Sequence, residues 1–488
     1  MRYMEGSTVS KQTIISGFFW TFGERLLAQM VSLVVGIVLA RMLSPKDFGV
    51  ISIVMVFIAV CDIFVSSGFG TAIVRQKEAA SKDFNSAFYL SLSMAIALYF
   101  AIFFVAPYVA SFYKIDILKP VMRVFGVRIL FSAFNNIQQA FVQRQMKFKK
   151  FFIATLFGTV ASCFVGITLA YNGFGVWALV AQYMTNSIVD TIALFIVGGW
   201  RPKLEFSISS AKAIYSFGWK MLCSQLVYTL SNDIRSLIIG KVFGPSDLAF
   251  YDQGKKYPAV IVDNINAAIA KVMLPTFARN QDNMDHLKSM LRRSIRTGLF
   301  CVAPLMCGFA AAAHSFVLVI LTDKWLSAVP FIQIMCFSYI TRPLEELCHR
   351  SILAIGKSGV VMAIMIVINT ISIVLTIIAT FVMHSVLWIA LFYLVHTIVS
   401  LICFMHASNR YIGYRFLEQI KDLYPVLSAS ILMGLVVYCM NYIPINSGIL
   451  LTIQGVSGIL IYLCLVKLFR IDEYRYIKDI IKQTINKQ

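Results

Sequence analysis

The sequence predicts an all-α, polytopic membrane protein with about 14 transmembrane helices, arranged as two pseudo-symmetric six-helix bundles plus two C-terminal helices. Three observations predict this fold class. Of the 488 residues, 59% are hydrophobic and 14% are charged, whereas soluble domains contain roughly 25% charged residues. Apolar stretches of about 20 residues, the length that crosses a bilayer, recur along the whole chain. The pattern around Pro45 also returns around Pro245, which indicates a duplication.

The duplication is clearest between the stretches 16–48 and 216–248. Ser44-Pro45 followed by Asp47 matches Gly244-Pro245 followed by Asp247, and each is a helix stop followed by a helix start. Both copies carry a stripe of residues at helical spacing that is mostly polar: Thr21, Arg25, Gln29, Ser32 and Gly36 in the first, and Met221, Gln225, Thr229, Asn232 and Ser236 in the second. In a bilayer, such a stripe faces protein or a water-filled cavity. The sequence therefore predicts two lobes, 1–205 and 206–410, and a C-terminal region, 411–488.

The predicted helices follow one another with short connections. In order they lie near 13–41, 47–74, 84–109, 119–145, 150–171, 174–199, 212–241, 247–275, 291–320, 327–353, 358–382, 385–407, 420–441 and 446–468. The first apolar stretch contains Glu24 and Arg25 and is too long for a cleaved signal, so we expect it to be retained. No predicted connection is long enough to form a soluble domain.

The net charge of +20 is distributed as a topology signal. When the connections are assigned alternately to the two sides, Lys and Arg concentrate on the side of both termini, which predicts cytoplasmic termini. No basic domain or aromatic-interleaved patch points to nucleic acid. The ten cysteines are scattered and form no C-x-x-C pair, so neither a disulfide nor a metal site is predicted. We also predict no cofactor.

The fourth predicted helix carries the most continuous polar face. Arg128, Ser132, Asn135, Gln139 and Gln143 recur at i, i+4, i+7, i+11 and i+15. One interpretation is a cavity wall whose guanidinium groups bind phosphate or pyrophosphate, because the planar fork bonds two oxygens at once. The alternative is a buried helix whose amides bond neighbouring helices. For Arg123, one turn earlier, the alternative is snorkelling to the membrane surface.

Other charges within the predicted helices extend the candidate site. A charged side chain exposed to lipid costs about 2.5–3.5 kcal/mol at the bilayer centre, so most of these groups must pair or line water. The predicted cavity residues are Arg25, Gln29, Arg123, Arg128, Asn135, Gln139, Lys220, Gln225, Asn232 and Arg342. The candidates for ion coupling are Glu24, Asp62 and Asp263, for which helix bridging is the alternative. For Arg342, Glu345, Glu346 and His349, the spacing favours a network in which these residues neutralise one another.

Signals for enzymatic chemistry are absent from the sequence. It contains no Walker A motif, no G-x-S-x-G motif and no H-x-x-x-H pair. We therefore predict a transporter and not an enzyme.

Four stretches resemble a known family: RMLSPKDFGV at 41–50, SSGFGTAIVRQK at 66–77, GFGVWALVAQ at 173–182 and FGPSDLAFYDQGKKYP at 243–258. They are similar to the polysaccharide-transporter branch of the multidrug/oligosaccharidyl-lipid/polysaccharide exporter superfamily, and most to Wzx-type flippases of the colanic-acid and teichuronic-acid subgroup. The resemblance implies two six-helix bundles that alternate between inward- and outward-open states around a basic cavity. It also implies an undecaprenyl-pyrophosphate-linked glycan as substrate and the bacterial inner membrane as location.

The sequence-based hypothesis is a flippase for lipid-linked oligosaccharides in exopolysaccharide or surface polysaccharide biosynthesis. The expected partners are this substrate, membrane lipids, the polysaccharide polymerase or export machinery, and H⁺ or Na⁺ as a coupling ion. One alternative is a cation-coupled drug antiporter of the same superfamily. A second is a membrane glycosyltransferase or glycan polymerase, although such enzymes generally need a larger loop outside the membrane. A third, an assembly scaffold, does not explain a polar face that extends over four helical turns.

Overall fold

The computed structural model of the protein describes residues 29–66, 69–70, 73, 80–145 and 148–474. These residues contain helices and connecting turns, with no β-strand among them. The helices that begin before residue 250 are α1 (Gln29–Met42), α2 (Pro45–Ser66), α3 (Ser81–Tyr113), α4 (Leu118–Gly126), α5 (Arg128–Arg144), α6 (Phe148–Tyr171), α7 (Val176–Gly198), α8 (Ile208–Val242) and α9 (Pro245–Arg279). The remaining helices are α10 (Met284–Phe316), α11 (Val329–Ile340), α12 (Arg342–Ala354), α13 (Ser358–Phe381), α14 (Val386–Ile412), α15 (Phe416–Cys439) and α16 (Ser447–Leu468).

The helical content confirms the predicted class of an all-α, polytopic membrane protein. Within the described part of the chain, nine helices are long and apolar enough to cross a membrane. The total of 14 spans stays a prediction, because the first predicted span is described only from Gln29 onward.

Packing divides the chain into two compact units, Met1–Ala249 and Phe250–Gln488. The division falls inside α9, whose first residues belong to the first unit. The predicted lobes at 1–205 and 206–410 describe the sequence repeat and stay a prediction.

The repeated helix break around Pro45 is held by a local hydrogen-bonded turn. The Ser44 hydroxyl donates to a carboxylate oxygen of Asp47 at 2.6 Å, and the backbone N–H of Asp47 bonds the Ser44 hydroxyl oxygen at 3.3 Å. Within the first unit, the start of α2 packs directly on the start of α9. A Cβ at Gly49 would lie 1.7 Å from the Pro245 carbonyl oxygen, so only glycine fits this approach. The two matching turns of the repeat therefore meet.

Two predicted helices are each broken in the middle. The span near 119–145 consists of α4 and α5, which are separated at Val127, and the span near 327–353 consists of α11 and α12, which are separated at Thr341. In the second case Pro343 lacks the N–H that would continue the backbone hydrogen bonds. Each break places an arginine, Arg128 or Arg342, at the first residue of the following helix.

Within the second unit, a charged cluster joins the C-terminal region to α10. Arg292 of α10 forms a bidentate pair with Asp422 of α15, at 2.5 and 2.7 Å. The Tyr414 hydroxyl also donates to Asp422 at 2.6 Å. Asp422 is buried, and bidentate pairs of this kind are among the stronger polar contacts. Nearby, Arg296 pairs with Glu473, which extends the cluster beyond α16.

Candidate functional site

Arg128 has neutral neighbours at the start of α5. Its Nε donates to the Ser187 hydroxyl of α7 at 3.0 Å, and one Nη lies 3.9 Å from the Met55 sulfur of α2. The guanidinium carbon also lies 5.7 Å from the centre of the Phe125 ring. Among the described residues, no carboxylate lies within the 4.0 Å of an ion pair with Arg128. A guanidinium whose close contacts are a hydroxyl, a thioether and an aromatic ring has donors that an anion could accept from.

Carboxylate and amide oxygens lie near Arg128 on the same group of helices. Asp62 of α2 lies near Arg128, close enough for the two charges to attract each other but beyond the 4.0 Å of an ion pair. Asn135 donates to a carboxylate oxygen of Asp190 on α7 at 3.3 Å. One side-chain oxygen of each of these residues (Asp62 Oδ1, Asn135 Oδ1 and Asp190 Oδ1) is buried without a hydrogen-bond partner in the described structure. Buried acceptors left unbonded are costly, so they mark a place for a proton or another donor.

Arg123 occupies a separate place from Arg128. It lies in the last turn of α4, where its Nε donates to the Phe103 carbonyl at 3.2 Å. Its guanidinium carbon lies 4.1 Å from the centre of the Phe103 ring. The structure thus engages Arg123 with α3, and it does not bring Arg123 into the Arg128 cluster.

Of the other predicted site residues, some lie in the described part of the chain and others lie outside it. Gln139 and Gln29 are half-buried, and Gln225 is exposed. Asn232 is half-buried and has an interaction partner. Arg25, Glu24 and the side chain of Lys220 lie outside the described residues.

Arg342, at the start of α12, is already paired. One Nη lies 3.2 Å from Asp263 Oδ1 of α9, and the other donates to the Tyr393 hydroxyl at 3.3 Å. The guanidinium carbon lies 4.8 Å from the centre of the Tyr339 ring. Asp263 is therefore half of an ion pair, which is the helix-bridging role named as its alternative.

The ion pairs around Arg342 involve residues outside the group of four that the spacing predicted to neutralise one another. Glu346 pairs with Arg350 one turn later at 2.6 Å, and Glu345 accepts a hydrogen bond from Ser400 at 2.6 Å. A carboxylate from a distant part of the chain, Asp263, takes the place that the helical spacing gave to the glutamates. The helical spacing identified charged residues close to Arg342 on the same helix, but it carried no information on residues from distant parts of the chain.

The sequence interpretation missed three neighbours of the candidate site. Ser187 bonds Arg128, Asp190 bonds Asn135, and Tyr393 bonds Arg342. Asp190 was recognisable as an acid within a predicted helix, whereas a serine or tyrosine in an apolar helix carries no such signal. No cluster of three or more metal-ligating side chains occurs in the described part of the chain.

The sequence is similar to proteins of bacterial polysaccharide biosynthesis. A family model described as polysaccharide biosynthesis protein matches residues 38–330. The succinoglycan biosynthesis transport protein ExoT of Rhizobium meliloti is 22% identical over 68% of this chain and 67% of its own. The teichuronic acid biosynthesis protein TuaB of Bacillus subtilis is 22% identical over 72% of this chain and 73% of its own. The lipopolysaccharide biosynthesis protein WzxC of Escherichia coli is 22% identical over 67% of each.

Two solved structures share the fold. The lipid II flippase MurJ, in an inward closed conformation, matches with a TM-score of 0.75 and 16% identity, covering 94% of this chain and 99% of MurJ. A multidrug resistance transporter of the MATE family, in an inward-facing conformation, matches with a TM-score of 0.61 and 15% identity over 79% and 95% of the two chains. At such identities the likeness concerns the fold alone.

These findings confirm the resemblance that the four sequence motifs indicated. They also agree with the prediction of a transporter, since ExoT is named as a transport protein and the two solved structures as a flippase and a transporter. The family model covers more than half of the 488 residues. The chain belongs to the polysaccharide biosynthesis protein family.

Proposed function

We propose that the protein is a flippase that moves undecaprenyl-pyrophosphate-linked oligosaccharide repeat units across the bacterial inner membrane by alternating access. Family membership and relatives named for succinoglycan, teichuronic acid and lipopolysaccharide biosynthesis support a surface or exocellular glycan as the product. The fold shared with a lipid II flippase supports a lipid-linked substrate. In this proposal both termini lie in the cytoplasm, and the polymerase or export machinery receives the flipped unit.

The observation that carries the proposal is the guanidinium of Arg128, whose close contacts are neutral and which Asp62 attracts only from beyond ion-pair distance. Placing a guanidinium in a membrane helix costs several kcal/mol, and pairing with an anion offsets this cost. A pyrophosphate supplies this compensation and accepts two parallel hydrogen bonds from the same fork. Asn135 and Gln139, further along α5, provide amides that bond sugar hydroxyls. In contrast, a drug antiporter for organic cations gains nothing from an arginine that lacks an ion-pair partner.

The first prediction concerns the leaflet in which the substrate accumulates. In a host that lacks the protein, we expect lipid-linked repeat units to be trapped on the cytoplasmic leaflet. Wild type clears them, whereas Arg128→Ala slows clearance by about tenfold to a hundredfold, the effect of losing a charged hydrogen-bonded contact. The measurement is the fraction of glycan that an impermeant reagent labels on each leaflet.

The outcomes separate the function from the site. If Arg128→Ala cleared the repeat units as well as wild type, the flippase function would stand, but Arg128 would not belong to the substrate site. No trapping in the deletion host, together with altered sensitivity to cationic drugs, would favour the antiporter. Detergent-extracted wild type and variant should show the same thermal unfolding, which excludes misfolding as the cause.

The second prediction concerns the coupling ion, H⁺ or Na⁺. We propose Asp62 as the coupling carboxylate, because one of its oxygens is buried without a partner, whereas Asp263 is ion-paired with Arg342. In proteoliposomes, Asp62→Asn should remove the stimulation of transport by an imposed H⁺ or Na⁺ gradient and retain downhill exchange. Asp263→Asn should retain the stimulation. If only Asp263→Asn lost it, the assignment would be reversed.

A further inference from the structure

The segment between α7 and the first turns of α8 is bound to the first unit through its backbone. The N–H of Lys203 donates to Asn85 at 3.1 Å, and its carbonyl accepts from the Tyr89 hydroxyl at 3.1 Å. The N–H of Ser207 donates to the Ser86 hydroxyl oxygen at 2.9 Å. Trp200 is buried against aromatic rings of α3. Because the backbone polar groups are bonded inward, the side chains of this segment are free to point outward.

The outward side chains include both large apolar and basic residues. Leu204 is 97% exposed, and Phe206 and Ile208 are also exposed. Arg201, Lys203 and Lys212 are exposed beside them. Glu205, which is half-buried, is the one acid between Arg201 and Lys212, so this stretch carries a net charge of +2.

The first turns of α8 continue the same surface. Ile208, Lys212, Tyr215 and Trp219 lie at i, i+4, i+7 and i+11 and are all exposed. Ala211, Ile214 and Gly218, on the adjacent flank of the helix, are buried. Tyr and Trp are the residues enriched at the boundary between bilayer and water.

The length of α8 places these turns at that boundary. The helix has 35 residues, which corresponds to about 52 Å, whereas the hydrocarbon core is about 30 Å thick. Its far end, near Lys241, bonds the Phe112 carbonyl at the end of α3. A stretch of α8 must therefore lie outside the hydrocarbon, and the basic and aromatic first turns suit that position.

We propose that residues 201–219, which we call the interfacial segment, bind acidic phospholipid headgroups. Exposed Leu204, Phe206 and Ile208 are unfavourable in water, and exposed Arg201 and Lys203 are unfavourable in hydrocarbon. Both sets are satisfied where the apolar side chains enter the acyl boundary and the basic ones meet headgroups. The net positive charge selects acidic over neutral lipid. This inference does not depend on the transported substrate.

The test is lipid photo-crosslinking. The photoreactive amino acid p-benzoylphenylalanine is placed at Leu204 in the full chain, which is reconstituted in nanodiscs with equal amounts of phosphatidylglycerol and phosphatidylcholine. Adducts are counted by mass spectrometry. We expect phosphatidylglycerol adducts to exceed phosphatidylcholine adducts by about fivefold, the factor that one basic side chain near a headgroup supplies. The same label at Tyr171, an exposed residue at the far end of α6, should show no preference.

A charge variant separates headgroup binding from simple contact with lipid. Arg201→Gln, Lys203→Gln and Lys212→Gln together should bring the adduct ratio at Leu204 close to one while total lipid adducts persist. Crosslinks to protein in place of lipid, or lipid adducts without a preference in the wild-type background, would overturn the proposal.

Discussion

Arg128 and Arg342 occupy corresponding places in the two units but have different surroundings. Each is the first residue of a helix that follows a break, in the fourth and tenth predicted spans. Arg342 is paired with Asp263 at 3.2 Å, whereas Arg128 bonds Ser187 and has no carboxylate at ion-pair distance among the described residues. The comparison shows that two arginines at corresponding places can have different partners, and in the proposed function this difference leaves Arg128 available to a ligand.

A shift of one residue accounts for this difference. α2 and α9 begin at the matching Pro45 and Pro245, so Asp263 corresponds to Ile63, and Asp62 corresponds to Val262. One residue along an α-helix turns the side chain by about 100°. Asp263 therefore lies at ion-pair distance from Arg342, whereas Asp62 stays beyond that distance from Arg128.

The largest expected effect on translocation comes from introducing into the first unit an ion pair like that between Arg342 and Asp263. Ile63→Asp introduces a carboxylate at the position equivalent to Asp263. We expect it to pair with Arg128, compete with the substrate pyrophosphate and lower the rate of lipid-linked glycan translocation by about tenfold or more. The measurement is the leaflet distribution of the glycan. Ile63→Asn, which has the same shape without the charge, is the matched control and should retain most of the rate. Equal losses in both variants would show that packing at residue 63, and not the charge, is responsible.

The sequence predicted the helices and the repeat but not the pairing of the arginines. Ser44-Pro45 with Asp47 identified the break between α1 and α2 because its hydrogen bonds are local. The break at Val127 has no such signal, since Val127 has helical dihedral angles and no proline follows it closely. The partner of Arg342 lies 79 positions earlier in the chain, and only the tertiary fold brings the two together.

The next effect concerns the stability of the second unit. Asp263→Asn and Arg342→Gln should each lower the free energy of unfolding, because each leaves its partner without a counter-charge. The pair is partly exposed, with side-chain exposures of 31% for Arg342 and 46% for Asp263. The coupling free energy of the double-mutant cycle should therefore be about 1 kcal/mol or less. Thermal or denaturant unfolding of the detergent-extracted protein measures it. Strict additivity of the two variants would show that the ion pair contributes nothing.

The smallest effect concerns the rest of the polar face. When α5 and α12 are aligned at their arginines, Ser132, Asn135 and Gln139 correspond to Glu346, His349 and Leu353. The second unit thus replaces neutral polar groups with a glutamate that pairs with Arg350, a histidine and an apolar residue. Only the first unit keeps amides along the face that begins with Arg128, which suits hydrogen bonding to a neutral sugar.

Gln139→Ala tests this interpretation against its neighbour Gln138. Gln139 is half-buried, whereas Gln138 is buried and donates to the Trp200 carbonyl at 2.9 Å. Loss of one neutral hydrogen bond to a sugar should slow translocation by about threefold to tenfold without changing thermal unfolding. Gln138→Ala should instead lower the unfolding temperature, because it leaves a buried carbonyl unpaired. If Gln139→Ala changed stability and Gln138→Ala changed transport alone, the face of α5 assigned to the substrate would be the wrong one. Arg128 would then act at one end of a helix whose remaining polar side chains serve packing.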